Sequence, residues 1–368
     1  MEPKHAAHPK TLRNTVLLAT LLLLILSWGD MSRGAGAKGT CTLYASPEGS
    51  EGASGSIEDP FPSVQRLADS LSPGQTGCLL EGTYISDGEI ILSRGGREDA
   101  RLTLRSAPGA RAEIRGRLWI RRSADYVTVQ DLDLVGSAPP RNPGDESSSV
   151  TVNARGVRLI NNNITNHNST ICISLGNPRW GPASNTLIKH NRIHHCGKLP
   201  PTNHHHGIYI GYATHTKVIA NLIYKNADRG IQLYPNAQNS TIQGNIIDAN
   251  GEGILFSGLR EHSSSGNLLE NNIISNSRVR WNVAANWRRA QAPGTDNLLS
   301  RNCLWASNPD PYYRKDGGVT SGRPGFTATR NLIAKPLYAA PGRGDYRLRE
   351  DSPCRDILGT WTPYANAG

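Results

Sequence analysis

The chain has 368 residues, 40 Lys and Arg against 30 Asp and Glu, and a net charge of +10. With 38 Gly but only 3 Phe and 2 Met, the composition argues against two globular domains and for one slender body of aliphatic cross-section with many turns. The basic residues are spread along the chain without a known binding module, which argues against nucleic acid as the partner.

In chain order, Lys4, Lys10 and Arg13 precede an apolar run from Val16 to Trp28, and Ala35-Gly36-Ala37 supplies small residues. The run is shorter than the ~20 residues a spanning helix needs. It reads as an export signal, residues 1–37, cleaved after Ala37 and leaving a charge of +8. No other stretch is apolar enough to cross a membrane, so none is expected once the signal is removed.

Residues 38–84 read as a lead-in: a strand at Cys41-Thr42-Leu43-Tyr44, a Gly/Ser loop from Glu48 to Asp59, and a short helix from Phe61 to Leu71. The helix shows an apolar stripe of Val64, Leu67, Ala68 and Leu71 and would cap the open end of a stack of strands. Short strand-like runs come next at Ile90-Ile91-Leu92, Leu102-Thr103-Leu104, Leu118-Trp119-Ile120 and Val127-Thr128-Val129, then a polar loop from Pro139 to Ser149.

From Gly156 to about Leu304 one pattern recurs, apolar residues around an asparagine at Asn162, Asn191, Asn221, Asn245, Asn272 and Asn302, at steps of 29, 30, 24, 27 and 30. A second register, Gly207-Ile208, Gly230-Ile231 and Gly253-Ile254, repeats every 23 residues. Such periods mark a repeat architecture, and the runs are too short and close to leave room for helices. The expected fold is all-β, a single-stranded right-handed parallel β-helix over residues 85–308 with a short N-terminal capping helix. Each asparagine amide would bond the one a coil above. Three longer excursions leave the coils at Pro178–Ser184, Cys196–His206 and Arg278–Thr295, and a Pro/Gly/Arg-rich tail, residues 309–368, is expected to fold back along the stack. Six cysteines in an exported chain invite pairing, expected here as Cys41–Cys78, Cys172–Cys196 and Cys303–Cys354.

The run Tyr44-Ala45-Ser46-Pro47-Glu48-Gly49-Ser50, the segment Asp59 to Gln65, Ser72-Pro73-Gly74, Glu81-Gly82-Thr83-Tyr84 and the closing Asp345-Tyr346-Arg347-Leu348 with Ser352-Pro353 resemble secreted right-handed β-helix proteins of the pectate-lyase-like superfamily. The resemblance implies the fold over most of residues 41–358. It leaves the reaction open, because this fold hosts lyases, hydrolases, epimerases and non-catalytic proteins.

The excursion before Gly207 ends in Asn203-His204-His205-His206, the densest histidine cluster in the chain. The 23-residue register sets His205 beside Asp228, His206 beside Arg229 and Glu252, and Tyr209 beside Gln232. The asparagine register sets His194 beside Tyr224 and Asp248, and His195 beside Lys225. With coils ~4.8 Å apart, all of these are expected on one external face. In proton abstraction from a uronate, Arg229 or Lys225 would hold the carboxylate. His205 or Tyr209 would take the C5 proton, and Tyr224 or His206 would return one for elimination or epimerisation. Asn203-His204-His205-His206-Gly207 is also similar to the Asp-Pro-His-Glu motif of mannuronan C5-epimerases. His205 falls at the catalytic His and Arg229 where some carry a cation, while Asn203, His204 and His206 replace Asp, Pro and Glu.

Other chemistries remain open. A divalent metal on His204, His206 and His195 or Asp228 lacks a recognised zinc spacing, and calcium would have Asp228, Asp248 and Glu252 as oxygen ligands. Neither metal nor other cofactor is expected. A hydrolase would draw its two carboxylates from Asp228, Asp248 and Glu252. Trp281, Trp287, Arg288 and Arg289, extended by Tyr212 and Tyr234, offer stacking and charge for a sugar chain. The positive surplus fits an acidic extracellular polysaccharide. The sequence thus points to a secreted monomer acting on such a polymer by lyase or epimerase chemistry, with a glycoside hydrolase or a non-catalytic carbohydrate-binding protein as alternatives.

Overall fold

The computed structural model describes residues 40–136, 148–322 and 324–359. The export signal and most of the Pro139–Ser149 loop lie outside the described residues.

Three files of short parallel strands stack coil on coil. The first runs through Val127–Gln130, Arg158–Ile160, Leu187–Lys189, Lys217–Ile219, Thr241–Gln243, Leu268–Glu270 and Leu298–Ser300. The second includes Arg192–His194, Leu222–Tyr224, Ile246–Asp248 and Ile273–Ser275. The third includes Val150–Val152, Ile173–Leu175, Ile208–Thr214, Arg229–Gln238, Glu252–Leu259 and Val283–Asn286. Parallel pairing starts earlier than expected, at Leu43–Ala45 on Thr76–Leu79. It also ends later, with Thr327–Thr329 and Leu332–Ile333 completing a coil beyond residue 308.

The interior is the aliphatic stack that the repeats require. Leu159, Ile188, Val218, Ile242, Leu269 and Leu299 are fully buried in one column, and Ile173, Ile208, Ile231, Ile254 and Val283 in another. Each such side chain contributes about 1.5–3 kcal/mol relative to exposure. Three corners per coil turn the chain, each through residues with left-handed φ, most of them just before a polar rung. Asn161, His190, Ala220, Asn271 and Arg301 do this at the first corner, His195, Lys225 and Ala249 at the second, and His215, Asn239 and Asp296 at the third.

At the first corner the amides form a continuous ladder. The backbone N–H and Nδ2 of Asn162 both donate to Oδ1 of Asn191, and the same pair of bonds repeats through Asn221, Asn245, Asn272 and Asn302 to a seventh rung, Asn331. Shorter ladders stand at the other corners, Asn226 on Asn250 and Asn267 on Asn297. The glycines of the second register sit where neighbouring coils approach closely: a Cβ on Gly253 would lie 2.2 Å from the Asn282 carbonyl oxygen.

The capping helix spans Val64–Ser70, with Ser63 Oγ accepting from the Arg66 N–H. Its buried Val64, Leu67 and Ala68 join the main core. All three expected disulfides are present. Near the C-terminal end of the described residues, Tyr338, Tyr346, Cys354 and Leu358 pack with Leu222, Tyr224, Ile246 and Ile273 of the second file. Among the described residues no helix is long and apolar enough to cross a membrane.

Candidate functional site

The second corner divides the residues that the sequence placed on one face into two groups. On the second file, His194 stacks on Tyr224 with ring centroids 5.0 Å apart, its Nδ1 lies 2.7 Å from Nδ1 of His195, and its Nε2 lies 2.8 Å from Asn163 Oδ1. Burial, with His195 and Arg192 adding repulsion, pushes the His194 imidazole down to about 3. His195 is lowered by burial and by Lys225. The Tyr224 hydroxyl accepts from Arg192 Nη2 at 2.7 Å, and its ring lies 5.1 Å from that of Tyr346. Asp248 accepts from Ser275 Oγ and Asn276 Nδ2, both at 2.7 Å.

This corrects the expectation for Tyr224 and Asp248. Both are buried, and the tail's tyrosines pack over them, so neither faces a substrate. The residues that cover them lie about a hundred positions downstream, which coil register alone cannot anticipate. Lys225 occupies the left-handed corner position and faces this group, not the third file.

The other group gathers where the third-file strands begin. Arg229 and Glu252 are register partners, with Nε donating to Oε2 at 2.7 Å, and both are buried. Arg229 also donates to the backbone carbonyl and the Oδ1 of Asn203 and, at 3.4 Å, to Gln232 Oε1. Arg280, with a side chain 31% exposed, reaches Asn203 Oδ1 at 3.1 Å and lies 3.7 Å from Glu252. Burial raises the Glu252 carboxyl, against the pull of the two guanidiniums. Burial lowers the Arg229 guanidinium, against the pull of Glu252, and the network sets this buried pair behind the partly exposed Arg280.

Asp228 has a different task from the one expected. Its carboxylate accepts the N–H groups of Asn203 and His205 at 2.8 and 2.9 Å and so pins the histidine loop. Thr202 Oγ lies 2.9 Å from His205 Nδ1. His205 and His206 are only 1% and 2% exposed, while His204 is exposed. Burial first, then Arg229, holds the His206 imidazole well below its usual range, so it is neutral. Its Nδ1 is buried without a hydrogen-bond partner among the described residues.

The His206 ring lies 6.0 Å from Tyr209 at an interplanar angle of 19°, and Tyr209 in turn lies 6.3 Å from Tyr234. Tyr209 points outward and is half-buried, and burial raises its phenol so that it keeps its proton. Tyr212 packs edge-on to His262 at 5.4 Å.

The three carboxylates considered for calcium are engaged elsewhere: Asp228 holds backbone, Glu252 holds Arg229 and Asp248 accepts from Ser275 and Asn276. Among the described residues no group of three His, Cys, Asp or Glu side chains is placed to hold a metal ion.

Trp281 lies next to Arg280 and packs against Tyr312 and Tyr313 at 4.9 and 5.1 Å. Trp287 sits at the far end of the same stretch, roughly 20 Å away at ~3.3 Å per residue. It packs against the core with its Nε1 on the Pro324 carbonyl. It therefore plugs the stack instead of offering an open platform, and the exposed Arg288 beside it is equally remote. Arg280 and Tyr312 were missed. The step from Glu252 to Trp281 continues the file that holds His206 and Arg229, and would have pointed to Arg280.

A family model described as a right handed beta helix region matches residues 123–309, about half of the chain. A pectate lyase of Emericella nidulans, PEL9, is 35% identical over 113 residues, an alignment covering 25% of this chain and 27% of that protein. The chain thus matches only about a quarter of that relative's length. The crystal structure of pectate lyase Pel9A superposes with a TM-score of 0.62 at 12% identity, covering 86% of this chain and 91% of that one. XylC in complex with xylose gives 0.59 at 13%, covering 79% and 68%. At these identities the two structures show a shared fold.

Proposed function

Since the chain belongs to the right-handed β-helix family, we propose that it is a secreted, monomeric enzyme that removes the C5 proton of a uronate unit in an acidic polysaccharide. The observation that carries this reading is the arginine pair Arg229 and Arg280 beside a neutral His206 whose ring lies against Tyr209. Three disulfides fit an oxidising, extracellular setting, and the partial likeness to a pectate lyase supports a uronate substrate.

Arg280, the more exposed cation, would take the uronate carboxylate, with Arg229 behind it adding positive potential. That pairing stabilises the charge which develops when C5 loses its proton. The His206 imidazole, with His205 beside it, accepts the proton. The electron pair either expels the O4-linked sugar, which leaves with the Tyr209 proton, or C5 is reprotonated from the opposite face. Asp228 and Thr202 set the loop, Gln232 lies outward beside Tyr209, and Trp281 with Tyr312 offers a stacking surface to the next sugar. His205 and His206 are buried, so the loop that carries them has to shift for the imidazoles to meet a sugar.

Purified protein incubated with polygalacturonate and with alginate is expected to produce an absorbance rise from unsaturated ends, or a change in C5 configuration by NMR. His206→Ala should abolish it. Activity is expected to survive chelation, and loss on chelation with recovery on added calcium would overturn the metal-free step. A carbohydrate-binding protein without turnover is the second reading, favoured by the burial of both imidazoles. Saturable binding with neither product would establish it.

A further inference from the structure

The outer face of the third file carries a second aromatic and basic group, at the opposite end from Trp281. Strand alternation puts Leu118, Ile120, Val150, Val152, Ile173, Leu175, Ile208 and Ile210 inside. The register then aligns the outward residues Trp119, Thr151, Ser174, Tyr209 and Gln232 in one row. Trp119 is three coils from Tyr209, about 14 Å at about 4.8 Å per coil.

Trp119 is fixed there. Its Nε1 donates to Asn153 Oδ1 at 2.8 Å, and Asn153 Nδ2 donates to the Gly181 carbonyl at 2.7 Å, which ties the Pro178–Ser184 excursion to the strand. That excursion delivers Trp180, 45% exposed, with its ring 5.6 Å from Trp119 at 57°. The Arg121 guanidinium stands 4.4 Å over the Trp119 ring, and Arg122 lies against Gly181. Among the described residues Arg121, Arg122 and Arg179 form no ion pair with a carboxylate. An exposed indole beside guanidiniums that have no carboxylate partner among the described residues matches a pyranose that bears a carboxylate.

We propose that Trp119, Trp180 and Arg121 form a distal subsite for a uronate unit of the same acidic oligosaccharide that reaches Tyr209 and Arg280. The chain lies along the stack, and the subsite selects polymers long enough to span the row. The inference rests on the proposed substrate class but not on turnover, so binding tests it.

Titration calorimetry of the intact protein with trigalacturonate, with long oligogalacturonides and with neutral xylo-oligosaccharides reads it directly. Trp180→Ala and Arg121→Gln, both surface changes, are each expected to weaken binding of the long acidic oligomers about tenfold and to leave the trimer unchanged. Circular dichroism on heating confirms that the variants are folded. Unchanged affinity of both variants for the long oligomers overturns the subsite while leaving the proposed reaction intact. Equal weakening for the neutral sugars overturns its acidic selectivity. Failure of the unaltered protein to bind any acidic oligomer overturns the substrate class and the subsite together.

Discussion

Arg229 and Arg280 meet the same carboxylate, yet replacing them should have different consequences. Arg229 is buried and supplies a charged hydrogen bond to buried Glu252. Arg229→Ala leaves that buried carboxylate without its directly hydrogen-bonded partner, at a cost of about 3–5 kcal/mol, so a loss of activity there reports folding as much as chemistry. Arg280 lies at the rim. Arg280→Gln should lower turnover on polyuronate at least about tenfold, which is about 1.4 kcal/mol of transition-state stabilisation, while the unfolding midpoint in urea stays nearly unchanged.

A pH series tests the buried histidines. The folded protein holds His206 well below 6.5 and His194 at about 3, so below about pH 6.5 the unfolded chain binds more protons. Stability is then complete above pH 6.5 and falls with acidification, by about 1.4 kcal/mol per pH unit for each fully shifted histidine. Asp248 and Glu252, raised by burial, act in the opposite sense. The His206 share is therefore read as the difference in slope between the protein and His206→Asn, and equal slopes would refute a neutral buried His206.

At the scale of the element, the amide ladder is the feature most open to measurement. Asn245 accepts from the backbone and side chain of Asn221, and donates to the Val218 and Gln243 carbonyls and to Asn272. Asn245→Ala should cost about 3 kcal/mol or more, at about 1–3 kcal/mol per buried group left unpaired. Asn331→Ala, at the half-buried last rung, should cost markedly less, and equal losses in urea unfolding would deny the central rungs their buried role.

The first-corner ladder and the Gly-Ile register were legible because each repeats a residue type at a spacing that only stacked coils explain; the disulfides, at separations of 37, 24 and 51, follow no period and were paired by position along the chain. The shorter ladders escaped notice because two asparagines do not make a period. The expectation of one common face failed where the corner intervened. Tyr224 and Arg229 are five positions apart, but the turn through Lys225 and Asn226 sends them to different faces. His206 and Arg229 came together because the 23-residue step spans a single face.

For the molecule as a whole, the tail acts as a cover fastened by one bond. Cys303–Cys354 closes a loop of 51 residues, and Cys354→Ser should cost about 4 kcal/mol. It should also expose Leu222, Ile246 and Ile273 to a hydrophobic dye. Turnover per folded molecule should persist, because the arginine group lies on another face. A parallel loss of turnover would return Tyr224 and Asp248 to the reaction.

In every rung of the first-corner ladder the donor belongs to the earlier coil and the acceptor to the later one. Each turn therefore ends with the same unused face that its predecessor presented, and any turn that keeps its asparagine can follow any other. Insertion of one complete turn, between 24 and 30 residues by the spacing of the rungs, should preserve the cross-section and change only the reach of the outer wall. This fold can vary the length of polymer it accommodates by adding modules that share one interior, without redesigning that interior.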